Sequence, residues 1–299
     1  MTPTLIRSIA VPIGLFATVF VLAQEPAPPD DADAVFTSEV RLVEVSANVS
    51  DRHGNPIPNL DRARFRVLDN GKPQEITAFE GVDERVSCAL VMDVTESMDA
   101  FLPVLKNAVV RFADELRDEE EVGVYTFNST VRMAQPFTTD KRLIKQAVLQ
   151  ARARGDTALF DAVSSVSRDL QLRKGKKAMV LFTDGADNAS MLTAPGASRR
   201  ARLSGIPIYA IAEGAALTDP KLMETLKTLA ADSGGTVFRL DRPGDIDGVF
   251  SAIVRDLRNT YLLGWKLPEG AGHAYRTVRI SVTGVQGARI RAREGYAPN

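Results

Sequence analysis

The sequence has few of the residues that cross-link proteins or carry acid–base catalysis: its 299 residues include one cysteine and two histidines. A single cysteine, Cys88, cannot form an intrachain disulfide, so packing must hold the core together. The histidines, His53 and His273, fall in turn-rich segments, which argues against a hydrolase that needs a histidine base beside its nucleophile. No Gly-x-Gly-x-x-Gly sequence occurs, which excludes the usual dinucleotide-binding loop.

An excess of one charge is also missing. Lysine and arginine number 37 against 38 aspartate and glutamate residues, and the formal net charge is −1. The chain therefore lacks the basic stripe that nucleic-acid binding requires, and we expect no nucleic-acid partner. Hydrophobic residues make up 44% of the sequence, the share of a soluble domain that buries a full core.

The first apolar run is short for a permanent membrane span. Arg7 precedes an apolar stretch over residues 9–22, whereas a spanning helix needs roughly 20 residues. The stretch ends in Val-Leu-Ala, which resembles a small-x-Ala cleavage site, so residues 1–23 are predicted to be a signal peptide. We expect an exported protein, periplasmic, envelope-associated or secreted, with no membrane insertion after cleavage; an uncleaved anchor is the alternative. The proline-rich, acidic residues 24–35 predict an extended tether.

Strand-like alternation flanks the middle of the chain on both sides. Residues 36–85 and 259–299 each predict a β segment, because apolar residues recur there with a period of two. The residues that carry this period include Val43, Val45, Ala47, Val49, Val278, Ile280 and Val282. Since the termini of a domain are often close together, we expect the two segments to join in one small β-sandwich-like lobe.

The middle of the chain, residues 86–258, alternates continuous apolar strands with amphipathic helices. Cys88 to Met92 and Ala178 to Phe182 are uninterrupted apolar strands, and Leu159, Val163 and Val166 form a helical stripe between them. This rhythm predicts an α/β fold with a doubly wound, mostly parallel sheet covered by helices on both faces. Ligands of such sheets bind beyond the carboxyl ends of the strands.

Oxygen-bearing side chains follow the predicted strands at three places. Asp93, Thr95 and Ser97 come directly after the first strand, Thr157 opens a helix, and Asp184 follows a later strand. Taken singly, Ser97 and Thr157 are typical helix N-caps, and Asp184 with its neighbours is typical of a turn. Their joint occurrence in this order favours one shared site.

Together these residues resemble the metal-ion-dependent adhesion site (MIDAS) of von Willebrand factor A domains. The family pattern is Asp-x-Ser-x-Ser after the first strand, a later Thr, and an Asp after the fourth strand. Thr95 stands where the family usually has Ser, so a hydroxyl is kept. The flanking segments, with Asp69-Asn70-Gly71-Lys72-Pro73 and Arg293-Glu294-Gly295-Tyr296, are similar to a group of exported bacterial proteins with such a domain, most often met in Acidobacteria.

The resemblance implies a Rossmann-like fold and a divalent cation, with Mg²⁺ preferred and Mn²⁺ or Ca²⁺ as alternatives. Thr95, Ser97 and Thr157 would ligate the cation directly, while Asp93 and Asp184 would act through water or by orienting hydroxyls. In the family a Glu or Asp of a partner protein fills the open position, so the resemblance implies an adhesion or scaffolding module and not an enzyme. We further expect Asp93→Ala to abolish metal binding and leave the fold intact.

Two other functions stay open at this point. A haloacid-dehalogenase-like phosphatase would use Asp93 as nucleophile, but the position two residues on, where such enzymes carry an acid, holds Thr95. A structural envelope protein would retain the same residues as a vestigial or merely stabilising metal site. The basic residues Lys176-Lys177 and Arg199-Arg200-Arg202 are predicted to be solvated helix faces, with a rim for an acidic partner as the alternative. The sequence leaves the oligomeric state open.

Overall fold

The computed structural model describes residues 41–82 and 84–298. The predicted signal peptide and tether lie outside these residues. None of the helices in the described part is long and apolar enough to cross a membrane.

Strands and helices follow one another through the whole described chain. The strands are β1 (Leu42–Ser50), β2 (Phe65–Asp69), β3 (Lys72–Gln74), β4 (Ala78–Glu80), β5 (Val86–Asp93), β6 (Glu121–Phe127), β7 (Val131–Thr138), β8 (Lys176–Thr183), β9 (Ile208–Ala212), β10 (Thr236–Arg239), β11 (Thr260–Lys266), β12 (Arg276–Val282), β13 (Arg289–Ala292) and β14 (Gly295–Tyr296). The α-helices are α1 (Leu102–Glu115), α2 (Lys141–Gln150), α3 (Leu159–Gln171), α4 (Ala194–Ser204), α5 (Ala215–Thr218), α6 (Pro220–Ser233) and α7 (Ile246–Arg258).

The central sheet has the strand order β10-β9-β8-β5-β6-β7. All neighbouring strands are parallel except β7, which pairs with β6 in the antiparallel sense and forms an edge. Alternate residues of β5 enter two different cores: Leu90 packs on one face of the sheet and Val91 on the other. The doubly wound, mostly parallel fold predicted from the sequence is therefore confirmed.

Two antiparallel sheets bring together strands from both ends of the chain. One has the order β13-β1-β11-β4 and the other β14-β12-β2-β3. A third hydrophobic core includes side chains of both sheets, among them Val45, Phe65 and Trp265. This arrangement is the small flanking β structure that the sequence predicts.

One local prediction is wrong. Lys176 and Lys177 open strand β8 and do not lie on a helix face. Lys176 is only 2% exposed, and its Nζ donates to the carbonyl oxygen of Thr260 at 2.9 Å. This hydrogen bond connects the start of β8 to the first residue of β11.

Candidate metal centre

Asp93 is the last residue of β5, a central strand of the sheet, and its side chain is fully buried. Its Oδ1 accepts hydrogen bonds from the backbone N–H of Thr95 at 3.1 Å and from Thr95 Oγ1 at 2.6 Å. Its Oδ2 accepts a hydrogen bond from Thr183 Oγ1 at 2.8 Å. Both carboxylate oxygens are therefore held in place before any ligand binds.

Ser97 extends this network toward solvent. Thr95 Oγ1 and Ser97 Oγ are 3.1 Å apart, and the Ser97 residue is exposed whereas Thr95 is buried. Neither hydroxyl caps the short 3₁₀ helix over Glu96–Met98, and the N-cap of α1 is Phe101. Ser97 therefore does not act as a helix N-cap.

The segment with Thr157 lies against the loop that follows β5. The backbone N–H of Arg154 donates to the carbonyl oxygen of Val94 at 2.8 Å, and that of Glu96 donates to Gly155 at 3.4 Å. Thr157 is buried, and its backbone N–H donates to Asn188 Oδ1 at 2.7 Å. The N-cap of α3 is Ala158, so Thr157 is not that cap either.

Asp184 directly follows Thr183 at the carboxyl end of β8, which lies beside β5 in the sheet. Its Oδ1 accepts a hydrogen bond from the backbone N–H of Ala186 at 3.1 Å. Gly185 has φ +83°, and a Cβ there would lie 3.2 Å from both Ala216 and Leu222. The turn that carries Asp184 thus requires glycine for its backbone conformation and leaves little space for a side chain.

The electrostatics of the site favour a cation. Burial raises the pKa of Asp93 to about 6, although hydrogen bonds from Thr95 and Thr183 oppose the shift, and the nearby charge of Asp184 adds to it. Burial and then the charge of Asp184 also raise the pKa of Glu213, the residue after β9. A bound cation would offset the repulsion among these carboxylates and the cost of burying them.

The donor atoms fit a hard divalent cation. Within residues 41–82 and 84–298 no group of three or more His, Cys, Asp or Glu side chains is placed to hold a metal ion. The candidate ligands are instead hydroxyls and carboxylates, the oxygen donors that Mg²⁺ and related cations prefer. The Thr157 hydroxyl and Asp184 Oδ2 accept or donate no hydrogen bond within the described ranges, so their lone pairs are free for a cation or its waters.

The structure therefore links three of the five predicted residues, Asp93, Thr95 and Ser97, by direct hydrogen bonds. Asp184 is connected to this group only through its neighbour Thr183, which donates to Asp93. Thr157 is connected through backbone hydrogen bonds between its loop and the loop after β5. Sequence reasoning missed Thr183 and Asn188, which orient site residues. The signal for Thr183 was its position at the end of an apolar strand, just before Asp184.

The geometry also bears on the phosphatase alternative. A nucleophilic carboxylate needs an accessible oxygen, whereas the Asp93 side chain is 0% exposed and both of its oxygens accept hydrogen bonds. The residue two positions on is a threonine engaged with that carboxylate, so no acid is available there to protonate a leaving group.

Comparison with known proteins identifies relatives of this chain. A UPF0353 protein of Mycolicibacterium paratuberculosis is 26% identical over 203 residues, which covers 58% of this chain and 61% of that protein. The chain spans about six tenths of the length of the curated relatives it matches, 61% and 64%.

Solved structures share the fold. The von Willebrand factor type A protein from Catenulispora acidiphila has a TM-score of 0.50 at 15% identity, covering 87% of this chain and 74% of that one. Proximal thread matrix protein 1 from the mussel byssus, whose MIDAS motif is occupied by zinc, has a TM-score of 0.51 at 21% identity, covering 61% of this chain and 48% of that one. Residues 88–252, more than half of the chain, match the model of the von Willebrand factor type A domain. This chain therefore belongs to the von Willebrand factor type A domain family.

Proposed function

We propose that this protein is an exported, non-enzymatic module that binds another protein through a divalent cation. The observation that carries the proposal is the hydroxyl pair of Thr95 and Ser97, 3.1 Å apart, of which the Thr95 hydroxyl donates to the buried carboxylate of Asp93. Two adjacent hydroxyl oxygens held in this way present lone pairs to one ion without a further loss of side-chain freedom.

In this proposal the hydroxyls of Thr95, Ser97 and Thr157 ligate the cation, and Asp93 and Asp184 orient hydroxyls or bound waters. The ion is Mg²⁺, with Mn²⁺ or Ca²⁺ as alternatives; the zinc in the mussel byssus protein motivates including Zn²⁺ in the test. Largely neutral ligands leave the ion electrophilic, so its open position attracts an anion. A Glu or Asp carboxylate of a partner protein is the proposed occupant, as in an adhesion or scaffolding contact.

The test compares two substitutions of one residue. Thr157→Ala removes the hydroxyl, whereas Thr157→Ser keeps it, and both remove the same methyl group. Calorimetric titration of the metal-stripped protein, residues 24–299, with Mg²⁺, Mn²⁺ and Zn²⁺ should give one-site binding that Thr157→Ala weakens and Thr157→Ser retains. Equal affinities for the two variants would contradict direct ligation, and no metal binding by the wild-type protein would favour a structural envelope role.

Export has a separate test. The proposal rests on the apolar stretch and the Val-Leu-Ala sequence within residues 1–23. Expression of the full chain in a bacterium with two membranes, followed by fractionation and intact mass measurement, should yield a periplasmic or released protein that begins at Gln24. A full-length chain in the membrane fraction would indicate an uncleaved anchor.

A further inference from the structure

A polar pocket of about 220 Å³ lies beside the candidate metal centre, between β6, β7, the end of α2 and the segment that follows α2. Its lining contains three arginines, Arg132, Arg152 and Arg154, and no acidic side chain. The lining also includes Val94, the residue directly after Asp93. The pocket and the candidate metal centre therefore share a loop.

The positive charge of this pocket is not neutralised by the fold. The guanidinium groups of Arg132 and Arg154 form no hydrogen bond or ion pair with any residue of the described ranges. Arg152 Nη1 donates to the carbonyl oxygens of Leu149 and Ala151, at 3.2 and 3.0 Å, and makes no ion pair there. Three exposed guanidinium groups around one concave surface are an arrangement suited to anions.

A fourth cation, Lys106, contacts the pocket lining at Ala151. Lys106 Nζ donates to the carbonyl oxygen of Ala151 at 2.6 Å, and burial together with the charge of Arg152 lowers the pKa of Lys106. The position of Lys106, and in part that of Arg152, is explained by the carbonyl end of helix α2, because cations stabilise that end of a helix. The helix end does not explain the position of Arg132, which lies on β7, or that of Arg154, which is three residues before Thr157.

We propose that this pocket binds a second carboxylate of the same partner segment whose first carboxylate reaches the cation. The inference rests on the proposed function and specifies the partner as an acidic segment with two nearby Asp or Glu residues. Arg154 and Thr157 are three residues apart, so their Cα atoms are within about 11 Å of each other. In an extended peptide, side chains two to four residues apart are separated by about 7 to 13 Å. The second acid therefore follows or precedes the first within about four residues.

The experiment uses two blocked peptides that differ in one carboxylate, GEGGEG and GEGGQG. Each is titrated into the Mn²⁺-loaded or Mg²⁺-loaded protein, with affinities measured by calorimetry and by the arginine Nε–H signals in NMR. The test variant is Arg132→Gln with Arg154→Gln. The matched control is Arg199→Gln with Arg200→Gln, two exposed arginines of α4 that give the same change in net charge.

In the wild-type protein and the control, the second Glu should raise affinity roughly three- to ten-fold at low salt, with the gain falling in 0.5 M salt. The test variant should lose this gain while its metal affinity is unchanged. A gain that persists in the test variant, or no gain in the wild-type protein up to millimolar peptide, would overturn the pocket. If the pocket is overturned but GEGGQG still binds only when metal is present, the proposed metal-dependent function is retained. A gain that depends on the arginines but persists in EDTA would support the pocket and contradict the metal-dependent function.

Discussion

At the scale of single residues, Asp93 is as much a structural group as a site group. Its carboxylate accepts hydrogen bonds from the hydroxyls of Thr95 and Thr183, both buried. Asp93→Ala would leave these hydroxyls without their acceptor, at a cost of about 1–3 kcal/mol for each buried unsatisfied group. The burial argues against the expectation that this substitution leaves stability intact, so a loss of metal binding in Asp93→Ala would not by itself identify a ligand.

Thr183→Val gives a cleaner test of the network, because valine keeps the shape of threonine and the β-branching that strand β8 accommodates. We expect it to lower the free energy of unfolding of the metal-free protein by about 1–3 kcal/mol, since Asp93 Oδ2 loses its donor and the backbone N–H of Gly185 loses its acceptor. Metal affinity should fall roughly 10-fold or more, as when an orienting group outside the ligand set is removed.

Urea unfolding and Mn²⁺ titration measure the two effects of Thr183→Val separately. Thr225→Val is a suitable control, because Thr225 is only partly buried on α6 and its hydroxyl donates only to the carbonyl oxygen of Lys221. Unchanged metal affinity in Thr183→Val would mean that neither hydrogen bond of the Thr183 hydroxyl, to Asp93 or from Gly185, matters for binding.

Asp93 and Asp184 could be predicted as neighbours from the sequence because residues after parallel strands collect at one edge of a sheet. Thr157 precedes a helix, and it was selected through the resemblance to the family pattern. It was insufficient for Asn188, whose side chain accepts from the Thr157 backbone across 31 residues of chain. Such a contact depends on how two loops fold against each other, and no period or propensity encodes it.

At the scale of elements, helix α7 contains a glycine that lowers the stability of the protein. Gly248 lies in this helix, is exposed, and a Cβ added there would meet nothing within 4 Å. Gly248→Ala should therefore raise the free energy of unfolding by about 0.5–1 kcal/mol, because alanine restricts the unfolded chain and favours the helix. Chemical denaturation of the two proteins at one pH measures the difference.

The same substitution at Gly235 should have the opposite result. A Cβ there would lie 2.0 Å from the carbonyl oxygen of Ile208, a backbone atom of the neighbouring strand β9. Gly235→Ala should therefore destabilise the protein by several kcal/mol. A stabilising Gly235→Ala would contradict the close approach of Gly235 to Ile208, and a destabilising Gly248→Ala would contradict the open space around Gly248.

Helix α2 shows why some elements escape sequence reasoning. Its Leu143 and Leu149 are 40% and 50% exposed, while Ile144, Ala147 and Val148 are buried, so apolar residues do not mark one face. Asp140, which accepts from the N–H of Arg142, was the available start signal. Strand β11 was missed for another reason: six of its seven residues are buried, so the alternation of a half-buried strand is absent.

At the scale of the whole molecule, one buried carboxylate joins distant parts of the chain. Asp69 is 0% exposed and accepts hydrogen bonds from Trp265 Nε1 at 3.1 Å, Arg276 Nε at 2.7 Å and Tyr296 OH at 2.6 Å. Its partners lie on β11, β12 and β14. The period-two pattern predicted β12, but it could not specify how that strand pairs, because alternation reports which face is buried and not which strand is adjacent.

Asp69→Ala should lower the free energy of unfolding by about 3–5 kcal/mol, since it leaves the guanidinium of Arg276 without its ion-pair partner in a largely buried position. Metal affinity of the folded fraction should stay unchanged at 25 °C, because Asp69 belongs to the antiparallel sheets and not to the metal centre. Differential scanning calorimetry and Mn²⁺ titration measure these effects. A variant as stable as the wild-type protein would show that the cluster does not hold the ends of the chain together.

The most direct test of the central claim is the position of a bound ion. Crystals of residues 24–299 grown with Mn²⁺ would be measured at a wavelength where manganese scatters anomalously. The account predicts a single strong peak within about 2.0 to 2.3 Å of the hydroxyl oxygens of Thr95, Ser97 and Thr157, with one position open to water or an anion. A peak elsewhere, or no peak in crystals saturated with Mn²⁺, would contradict it.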